Sequence, residues 1–293
     1  MKSDVLSTRQ VAQLLGVGEA TVKRWADAGE IDCFRTPGGH RKFRLRDVTG
    51  FVQKRQYETS GPMPDGTPAG ADQLGPAAVD HFERTSLRGD TPGLVAQLAA
   101  LRLRGHELHE LFDEVVAPAL RRIGERWAQK KLSTAEEHVA SAAVMDAISR
   151  AQPLAEPPGE PVRPDRGVAV VAAVAGELHD IGPRMVACLL RARGFEVLAP
   201  LAQTPARDMA ELILRSRAAL VALASTMPAD GPAEEQVRMA AQAVRHTGGR
   251  VLVGGPGMDT LNLPDEVKII RNMTELALES EGAGKKRARA ERA

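Results

Sequence analysis

The sequence predicts a multidomain protein with a winged helix-turn-helix, a four-helix bundle and an α/β doubly wound parallel sheet of the flavodoxin-like kind. Residues 1–58 hold two short helix patterns separated by a glycine-containing break, followed by a basic hairpin pattern. Residues 77–152 carry helical periodicity almost throughout, and residues 167–282 alternate short apolar strands with helices. The remaining segments are interpreted as linkers, 59–76 and 153–166, and as a basic tail, 283–293.

Composition and charge narrow the possible classes of protein. The net charge of the 293 residues is +1, so any contact with nucleic acid must come from a local basic patch. The two cysteines, Cys33 and Cys188, fit no metal or disulfide pattern, which favours a reducing compartment. The N-terminus lacks the apolar core of a signal peptide, and no run approaches the length of a membrane span. We therefore expect a cytoplasmic protein with no membrane partner.

The first part of the chain has the signals of a helix-turn-helix. Ser7-Thr8-Arg9-Gln10 supplies an N-cap and a Gln three residues later, which is a capping box at the start of a helix. Gly16–Gly18 ends that helix, and Glu19–Ala28 forms a second helix pattern with Val22 and Trp25 facing inward. Two short helices joined by a glycine turn are typical of DNA-binding heads.

A hairpin pattern with a basic tip follows the second helix. It comprises Ile31–Arg35, a turn at Thr36–His40 and Arg41–Arg44, with a further helix pattern at Arg46–Gln53. The first 60 residues carry 11 Lys/Arg and 7 Asp/Glu, and the excess is concentrated in helix two and the hairpin. We expect helix two to enter the major groove of double-stranded DNA while the hairpin meets phosphates. The candidate DNA-binding residues are Thr21, Lys23, Arg24, His40, Arg41, Lys42 and Arg44.

The run Thr36-Pro37-Gly38-Gly39-His40-Arg41, together with the two helices, resembles the winged helix-turn-helix of the MerR family of transcriptional regulators. The resemblance implies binding to operator DNA. The alternative that the residues leave open is a small helical protein-interaction domain with a solvated basic face.

The middle of the chain predicts an antiparallel four-helix bundle with short connections. Its last helix begins with a second capping box, Ser133-Thr134-Ala135-Glu136. The predicted helices are Ala77–Leu87, Thr91–Arg104, Glu107–Lys130 and Ser133–Ala151.

The C-terminal part predicts a parallel sheet whose first strand, Val168–Val174, empties into a loop that carries His179. Ligands of such sheets bind at the carboxyl ends of the strands. Neutral imidazole is a common metal ligand when a carboxylate binds its other nitrogen, and both Glu177 and Asp180 are near enough in sequence for that role. The other predicted strands are Glu196–Pro200, Ala219–Ala224, Arg250–Val253 and Val267–Ile270.

The spacing Glu177-x-His179-x-x-Gly182 resembles the Asp-x-His-x-x-Gly signature of cobalamin-binding domains, with Glu in place of Asp. The resemblance implies that His179 is the lower axial ligand of cobalt. Glu177 can still accept the imidazole proton, but its side chain is one methylene group longer than that of Asp. Ser225-Thr226-Met227 stands where that family has Ser-x-Leu, and Gly254-Gly255 where it has Gly-Gly beside the nucleotide tail. The candidate cofactor residues of the sheet are Glu177, His179, Asp180, Gly182, Ser225, Thr226, Gly254 and Gly255.

Trp127, followed after nine residues by Glu137-His138, resembles the helical cap of the CarH/LitR-type light-sensing repressors. The resemblance implies that Trp127 covers the upper face of the corrin and that Glu137 and His138 lie near the adenosyl group. A histidine that follows the Trp in that family binds cobalt after illumination, but here the position is Ala128. His138 or water would have to take its place. Read without the resemblance, Trp127 is a core residue and the Glu-His pair is solvated.

Together the resemblances imply a transcriptional regulator, of the repressor kind and not an enzyme, with adenosylcobalamin as cofactor. They imply that light changes its homo-oligomeric state, dimer or tetramer, and its affinity for DNA. Two alternatives remain open at this point. One is a regulator that senses cobalamin or redox state without light, and the other is a corrinoid methyl-transfer protein, against which the helix-turn-helix argues. The tail, Gly282–Ala293, either adds non-specific DNA affinity or is a solvated terminus.

Overall fold

The structure of the protein, a computed structural model, describes residues 5–15, 17–44, 47–48, 50–51, 73–151 and 164–283. They form two compact units, within residues 1–161 and 162–293. The predicted linkers and the basic tail lie largely outside the described residues. None of the described helices combines the length and apolar character needed to cross a lipid bilayer.

The described residues within 5–51, which we call the head, form a helix-turn-helix followed by a hairpin, as predicted, with one additional strand. The capping box is present, because the Ser7 N–H donates to Gln10 Oε1 at 2.8 Å and the Gln10 N–H to Ser7 Oγ at 3.3 Å. The additional strand is Val5–Ser7, which pairs with the second hairpin strand, Arg41–Arg44. Arg41–Arg44 therefore lies in the middle of a three-stranded sheet. In chain order the elements are β1 Val5–Ser7, α1 Thr8–Leu15, α2 Glu19–Asp27, β2 Phe34–Arg35 and β3 Arg41–Arg44.

The core of the head forms around the inward face of α2. Val22 and Trp25 are buried, and the Trp25 ring lies 4.7 Å from the Phe51 ring, centroid to centroid. Leu103, a residue of the bundle, packs in the same apolar cluster. The predicted helix at Arg46–Gln53 lies partly outside the described residues.

The bundle contains the four predicted helices, but the third is interrupted. A π-helical turn at Phe112–Val116 separates two α-helical segments within the predicted Glu107–Lys130 helix. Pro118 explains the interruption, since it has no N–H to donate and its ring clashes with the carbonyl four residues earlier. The elements are α3 Pro76–Leu87, α4 Thr91–Leu103, α5 Leu108–Leu111, α6 Ala117–Ala128 and α7 Thr134–Ala151.

Ion pairs hold α6 against α3 in the bundle. Arg126 Nη1 lies 2.6 Å from Glu83 Oε1, and Arg122 pairs with Asp80. Glu83 is buried, so its pairing with Arg126 satisfies a carboxylate that has lost its water. Because Arg126 precedes Trp127, the pair also fixes the end of α6 that carries the indole.

The C-terminal unit is a five-stranded parallel sheet with helices on both faces, which confirms the predicted fold class. The elements are β4 Val168–Ala173, α8 Ile181–Ala192, β5 Glu196–Leu201, α9 Ala206–Ser216, β6 Leu220–Ala224, α10 Gly231–Thr247, β7 Arg250–Gly254, β8 Lys268–Ile270 and α11 Met273–Gly282. The strand order in the sheet is β5-β4-β6-β7-β8.

The strand order creates one switch point at the carboxyl edge of the sheet. The chain moves from β4 outward to β5, then crosses back so that β6 lies on the other side of β4. The loops after β4 and β6 therefore leave the sheet in opposite directions and open a crevice, which is where doubly wound sheets bind ligands. The interior strand β4 is apolar on both faces because helices cover both.

Candidate functional site

The loop after β4 places a buried carboxylate beside an exposed imidazole. The Glu177 N–H donates to Val174 O at 3.1 Å, closing a turn in which Gly176 has φ of +85°. Glycine adopts this left-handed conformation without strain. Glu177 is only 4% exposed, whereas 57% of the His179 side chain is exposed.

The two carboxylate oxygens of Glu177 bind two different loops. Oε1 accepts the His179 N–H at 2.8 Å and lies 2.5 Å from Nδ1 of the same residue. Oε2 accepts the N–H groups of Thr226 at 2.6 Å and Met227 at 2.9 Å. The Ser225 hydroxyl lies 3.3 Å from Oε2 and 2.7 Å from Met227 O. One side chain therefore joins the loops on either side of the switch point.

Glu177 is ionised at neutral pH, and this sets the tautomer of His179. Burial alone would raise the pKa of Glu177, but the hydrogen bonds from Met227, from the backbone and ring of His179 and from Thr226 lower it to about 2. A carboxylate cannot donate, so the proton between them belongs to His179 Nδ1. In the neutral ring, Nε2 is then the nitrogen that carries the lone pair, and the exposed ring is open to a ligand.

Asp180, the other carboxylate proposed as the partner of His179, has a different role. Its Oδ2 accepts Arg184 Nε at 2.9 Å and Nη2 at 2.7 Å, one turn along α8. The pair anchors the first turn of the helix. Of the two carboxylates, the described structure shows Glu177 bonded to the imidazole and Asp180 bonded to Arg184.

The glycines after β7 are required by the packing of the neighbouring loop. A Cβ added to Gly255 would lie 2.2 Å from Ser225 O, and one added to Gly257 would lie 1.8 Å from Met227 O. The Gly257 N–H donates to Ser225 O at 3.1 Å, and the Ser225 N–H to Gly254 O at 3.0 Å. These contacts hold the Ser225–Met227 loop in the position where Glu177 can bind it.

The same edge also presents apolar surface and free space. Leu178 and Met227 are both exposed, on opposite sides of the crevice. Gly182 lies in the first turn of α8, and a Cβ added there would meet nothing within 4 Å. No packing in the described structure requires glycine at this position, in contrast to Gly255 and Gly257.

In the bundle, the structure shows that Trp127 is not a core residue. It is 47% exposed, and its Nε1 donates to Thr134 Oγ1 at 3.3 Å, linking the end of α6 to the start of α7. His138 is exposed and Glu137 is partly buried, with His138 Nε2 3.7 Å from Glu137 Oε2. The capping box at Ser133 is present, which fixes where α7 begins.

In the head, all seven candidate DNA-binding residues are exposed or partly exposed, but Arg41 is also bound within the protein. Its guanidinium forms an ion pair with Asp27 of α2, and only 17% of the side chain is exposed. Alternate residues of β3 face opposite ways, so Arg41 and the buried Phe43 face α2 whereas Lys42 and Arg44 face outward. Arg41 therefore joins the hairpin to helix two through its pair with Asp27, and its contact with phosphate stays a prediction. The seven are Thr21, Lys23, Arg24, His40, Arg41, Lys42 and Arg44.

Phe34 is a surface residue that the sequence interpretation missed. It is 42% exposed and lies directly opposite Lys42, and the Arg44 guanidinium is 5.9 Å from its ring centroid. The register contains the signal, because residues opposite each other in antiparallel strands share a face. The outward face of the hairpin thus combines an aromatic ring with two cations.

Models of known protein families match all three folded parts of the chain, namely the head, the bundle and the sheet. A family model described as a helix-turn-helix domain matches residues 5–56. Two further models, both described as B12 binding domains, match residues 79–152 and 167–264. The chain therefore contains a DNA-binding type of domain followed by two B12-binding domains, one on the bundle and one on the sheet.

Two curated relatives are transcriptional repressors. Transcriptional repressor DcmR of Methylorubrum extorquens is 35% identical over 89 residues, which cover 30% of this chain and 31% of the relative. HTH-type transcriptional repressor CarH of Myxococcus xanthus is 27% identical over 238 residues, 73% of this chain and 76% of the relative. The chain thus matches less than a third of the length of the first relative and about three quarters of the second.

Among solved structures, the monomethylamine corrinoid protein of Methanosarcina barkeri is similar to this chain. The TM-score is 0.53 at 14% identity, and the match covers 68% of this chain and 94% of that chain. At this identity the similarity concerns the fold alone.

We predict that Gly257→Ala destabilises the Ser225–Met227 loop. The new Cβ overlaps Met227 O, and overpacking of this kind costs about 1–3 kcal/mol of unfolding free energy. Urea unfolding of the chain without ligand, with hydrogen exchange to localise the change to residues 225–229, measures it. Gly182→Ala is the matched control, since its Cβ enters open space and the unfolding free energy stays unchanged or rises. Equal effects of the two substitutions would contradict the packing role of Gly257.

Proposed function

We propose that this chain, a cobalamin-binding transcriptional regulator by its domain content, binds double-stranded operator DNA through its head. We propose further that it represses transcription and that the state of a bound adenosylcobalamin sets its affinity for DNA. The observation that carries the proposal is the His179 imidazole at the switch point, with Nδ1 held by an ionised Glu177 and Nε2 free. This pair lies within residues matched by a B12-binding family model.

The residues at the carboxyl edge of the sheet fit a corrinoid. Cobalamin supplies a cobalt ion that accepts a neutral imidazole as an axial ligand. Glu177 keeps the proton of His179 on Nδ1 and so presents Nε2 in the form that can bind a metal. Gly182 leaves the first turn of α8 open for close approach, and Leu178 and Met227 offer apolar contact. Ser225 and Thr226 lie in the loop that Glu177 holds in place.

The head supplies the DNA-binding surface in this proposal. Lys23 and Arg24 are exposed on α2, and residues 34–44 of the hairpin contain four Arg or Lys and no Asp or Glu. Cations on α2 and on the outward face of the hairpin can meet phosphates on either side of a groove. The repressor names of both curated relatives support this assignment.

We propose light as the signal. The spacing from Trp127 to Glu137-His138 is similar to that of light-sensing repressors, and the exposed indole is available to cover a ligand outside the bundle core. Ala128 stands where that family has a histidine, which leaves the exposed His138, or water, for that position. Two states of the cofactor shift DNA binding only if they bind two states of the protein differently.

Self-association and a cytoplasmic location complete the proposal. A single head offers few charged contacts, and joining heads in a homodimer or homotetramer multiplies their combined affinity for DNA. Operator DNA lies inside the cell, and the DNA-binding head supports a cytoplasmic location. The second candidate function is a regulator that responds to cobalamin or to redox state without light, and Ala128 is the observation that favours it.

We predict that the purified chain retains adenosylcobalamin through a desalting column and that His179→Ala retains little. Removing a metal ligand should weaken binding by more than about 100-fold, since losing only an outer partner of a ligand costs about 10–100-fold. Absorption spectra of the eluted protein measure retention. His246→Ala, an exposed histidine elsewhere in the same unit, is the matched control and should bind like the wild type. A colourless wild-type eluate would remove the cofactor assignment.

We predict that green light changes the affinity of the loaded chain for operator DNA and its oligomeric state. Gel shift and size-exclusion chromatography before and after illumination measure both. The chain without cofactor, illuminated in the same way, should show no change. If adding the cofactor changes DNA binding by the cofactor-free chain, but light does not change DNA binding by the loaded chain, the light-independent regulator is correct. Methyl transfer by the chain alone would instead favour the corrinoid enzyme.

We predict that Lys42→Ala and Arg41→Gln weaken DNA binding in different ways. Lys42 faces outward, so its loss should reduce the salt dependence of log K by about 1 unit. Arg41 is paired with Asp27, so its loss should lower the stability of the head and leave the salt slope nearly unchanged. Titrations with DNA over a range of salt concentrations separate the two, with Arg9→Ala on α1 as control. A lower slope for Arg41→Gln would show that Arg41 contacts phosphate.

A further inference from the structure

Helix α10 carries a buried amide in the middle of its apolar face. Among the buried residues of α10, all of which lie in the described part of the chain, Gln236 is the only polar one, and it is fully buried. Burying an amide is costly unless its donor and acceptor are both bonded. The partners of the amide therefore indicate what Gln236 does in this structure.

Both ends of the Gln236 amide bind loops at the carboxyl edge of the sheet. Oε1 accepts the Ala175 N–H at 2.5 Å, and Nε2 donates to Thr204 O at 3.0 Å. The ladder between β4 and β6 ends one residue earlier, where the Val174 N–H donates to Ala224 O at 3.0 Å. Gln236 therefore supplies the next hydrogen bond after the ladder stops, at the start of the loop that carries Glu177 and His179.

The loop after β5, on the other side of the amide, is conformationally unusual. Leu201 has φ of 64° and Gln203 has φ of 61°, a left-handed backbone conformation that residues other than glycine rarely adopt. The pairing of β5 with β4 also shifts register between Val170 and Ala172. Such irregularities persist only where the surroundings hold them, and they concentrate beside functional sites. Thr204, the residue after this stretch, is the one that Gln236 binds.

We propose that Gln236 is a positioning residue of the cofactor site, a role that rests on the proposed function. Its amide ties the first residue of the His179 loop to the strained loop after β5. The two loops then hold one arrangement at the edge where the cofactor binds, although Gln236 itself is buried beneath them. Glu177 joins the His179 loop to the loop after β6, so Gln236 and Glu177 together connect three consecutive strand ends.

Two substitutions at Gln236 separate positioning from folding. Gln236→Met keeps the length of the side chain but leaves the Ala175 N–H and Thr204 O without their partner. Gln236→Glu keeps an acceptor for Ala175 and loses the donor to Thr204. We expect the affinity for adenosylcobalamin to fall about 10- to 100-fold in Gln236→Met, the range for residues that orient metal ligands, and less in Gln236→Glu. Absorbance titration measures affinity, and thermal melting without cofactor measures stability.

Thr247→Val, at the other end of α10, is the matched control. It removes a hydrogen bond from Thr247 Oγ1 to Ala218 O, 2.7 Å long, at the opposite edge of the sheet. This variant should lose stability without losing affinity for the cofactor. If Gln236→Met fails to fold, the test compares the affinities of the wild type, Gln236→Glu and Thr247→Val for the cofactor. Gln236→Glu is then expected to have the lowest affinity of the three.

Equal affinity in the wild type and in the folded Gln236 variants, with only the melting temperature lowered, would overturn the positioning role and leave the proposed function intact. A wild-type chain that binds no adenosylcobalamin would remove the proposed function, and this role with it.

Discussion

The candidate site depends on one buried carboxylate that accepts hydrogen bonds from two loops at once. Glu177 holds the ring of His179 with one oxygen and the backbone of Thr226 and Met227 with the other. Those bonds keep the carboxylate ionised despite its burial, and the ionised form in turn keeps the imidazole proton on Nδ1. The position and the tautomer of the ring therefore share a single cause.

The rest of the sheet can be understood as the support of that carboxylate. The strand order brings the ends of β4 and β6 together, and the glycines after β7 allow the Ser225–Met227 loop to lie within reach of Glu177. Gly255 and Gly257 are thus needed for protein packing, whereas at Gly182 the packing leaves free space. The difference separates glycines that the packing of the site requires from a glycine that the packing does not require.

Periodicity and capping signals predicted most of the fold. The five strands agree with the predicted bounds within one residue, because short apolar runs bounded by turn residues are typical of buried strands. Strand β1 was missed because three residues carry too little pattern, and its pairing with β3 is a tertiary contact. The π-helical turn was missed because the apolar periodicity continues through it, although Pro118 was a visible signal. The motif identified His179 and Glu177, but the contact of Glu177 with the loop some fifty residues later, like the buried bonds of Gln236, exists only once the sheet is assembled.

The central claim, that His179 Nε2 binds the cobalt of cobalamin, is tested most directly by electron paramagnetic resonance. The chain is produced with histidine labelled with the heavier stable isotope of nitrogen, loaded with cobalamin, and reduced to the paramagnetic Co(II) state. If His179 is the ligand, the nitrogen splitting changes from the triplet of ordinary nitrogen to a doublet in the labelled protein. An unchanged triplet would mean that the nitrogen belongs to the cofactor itself and would contradict the account.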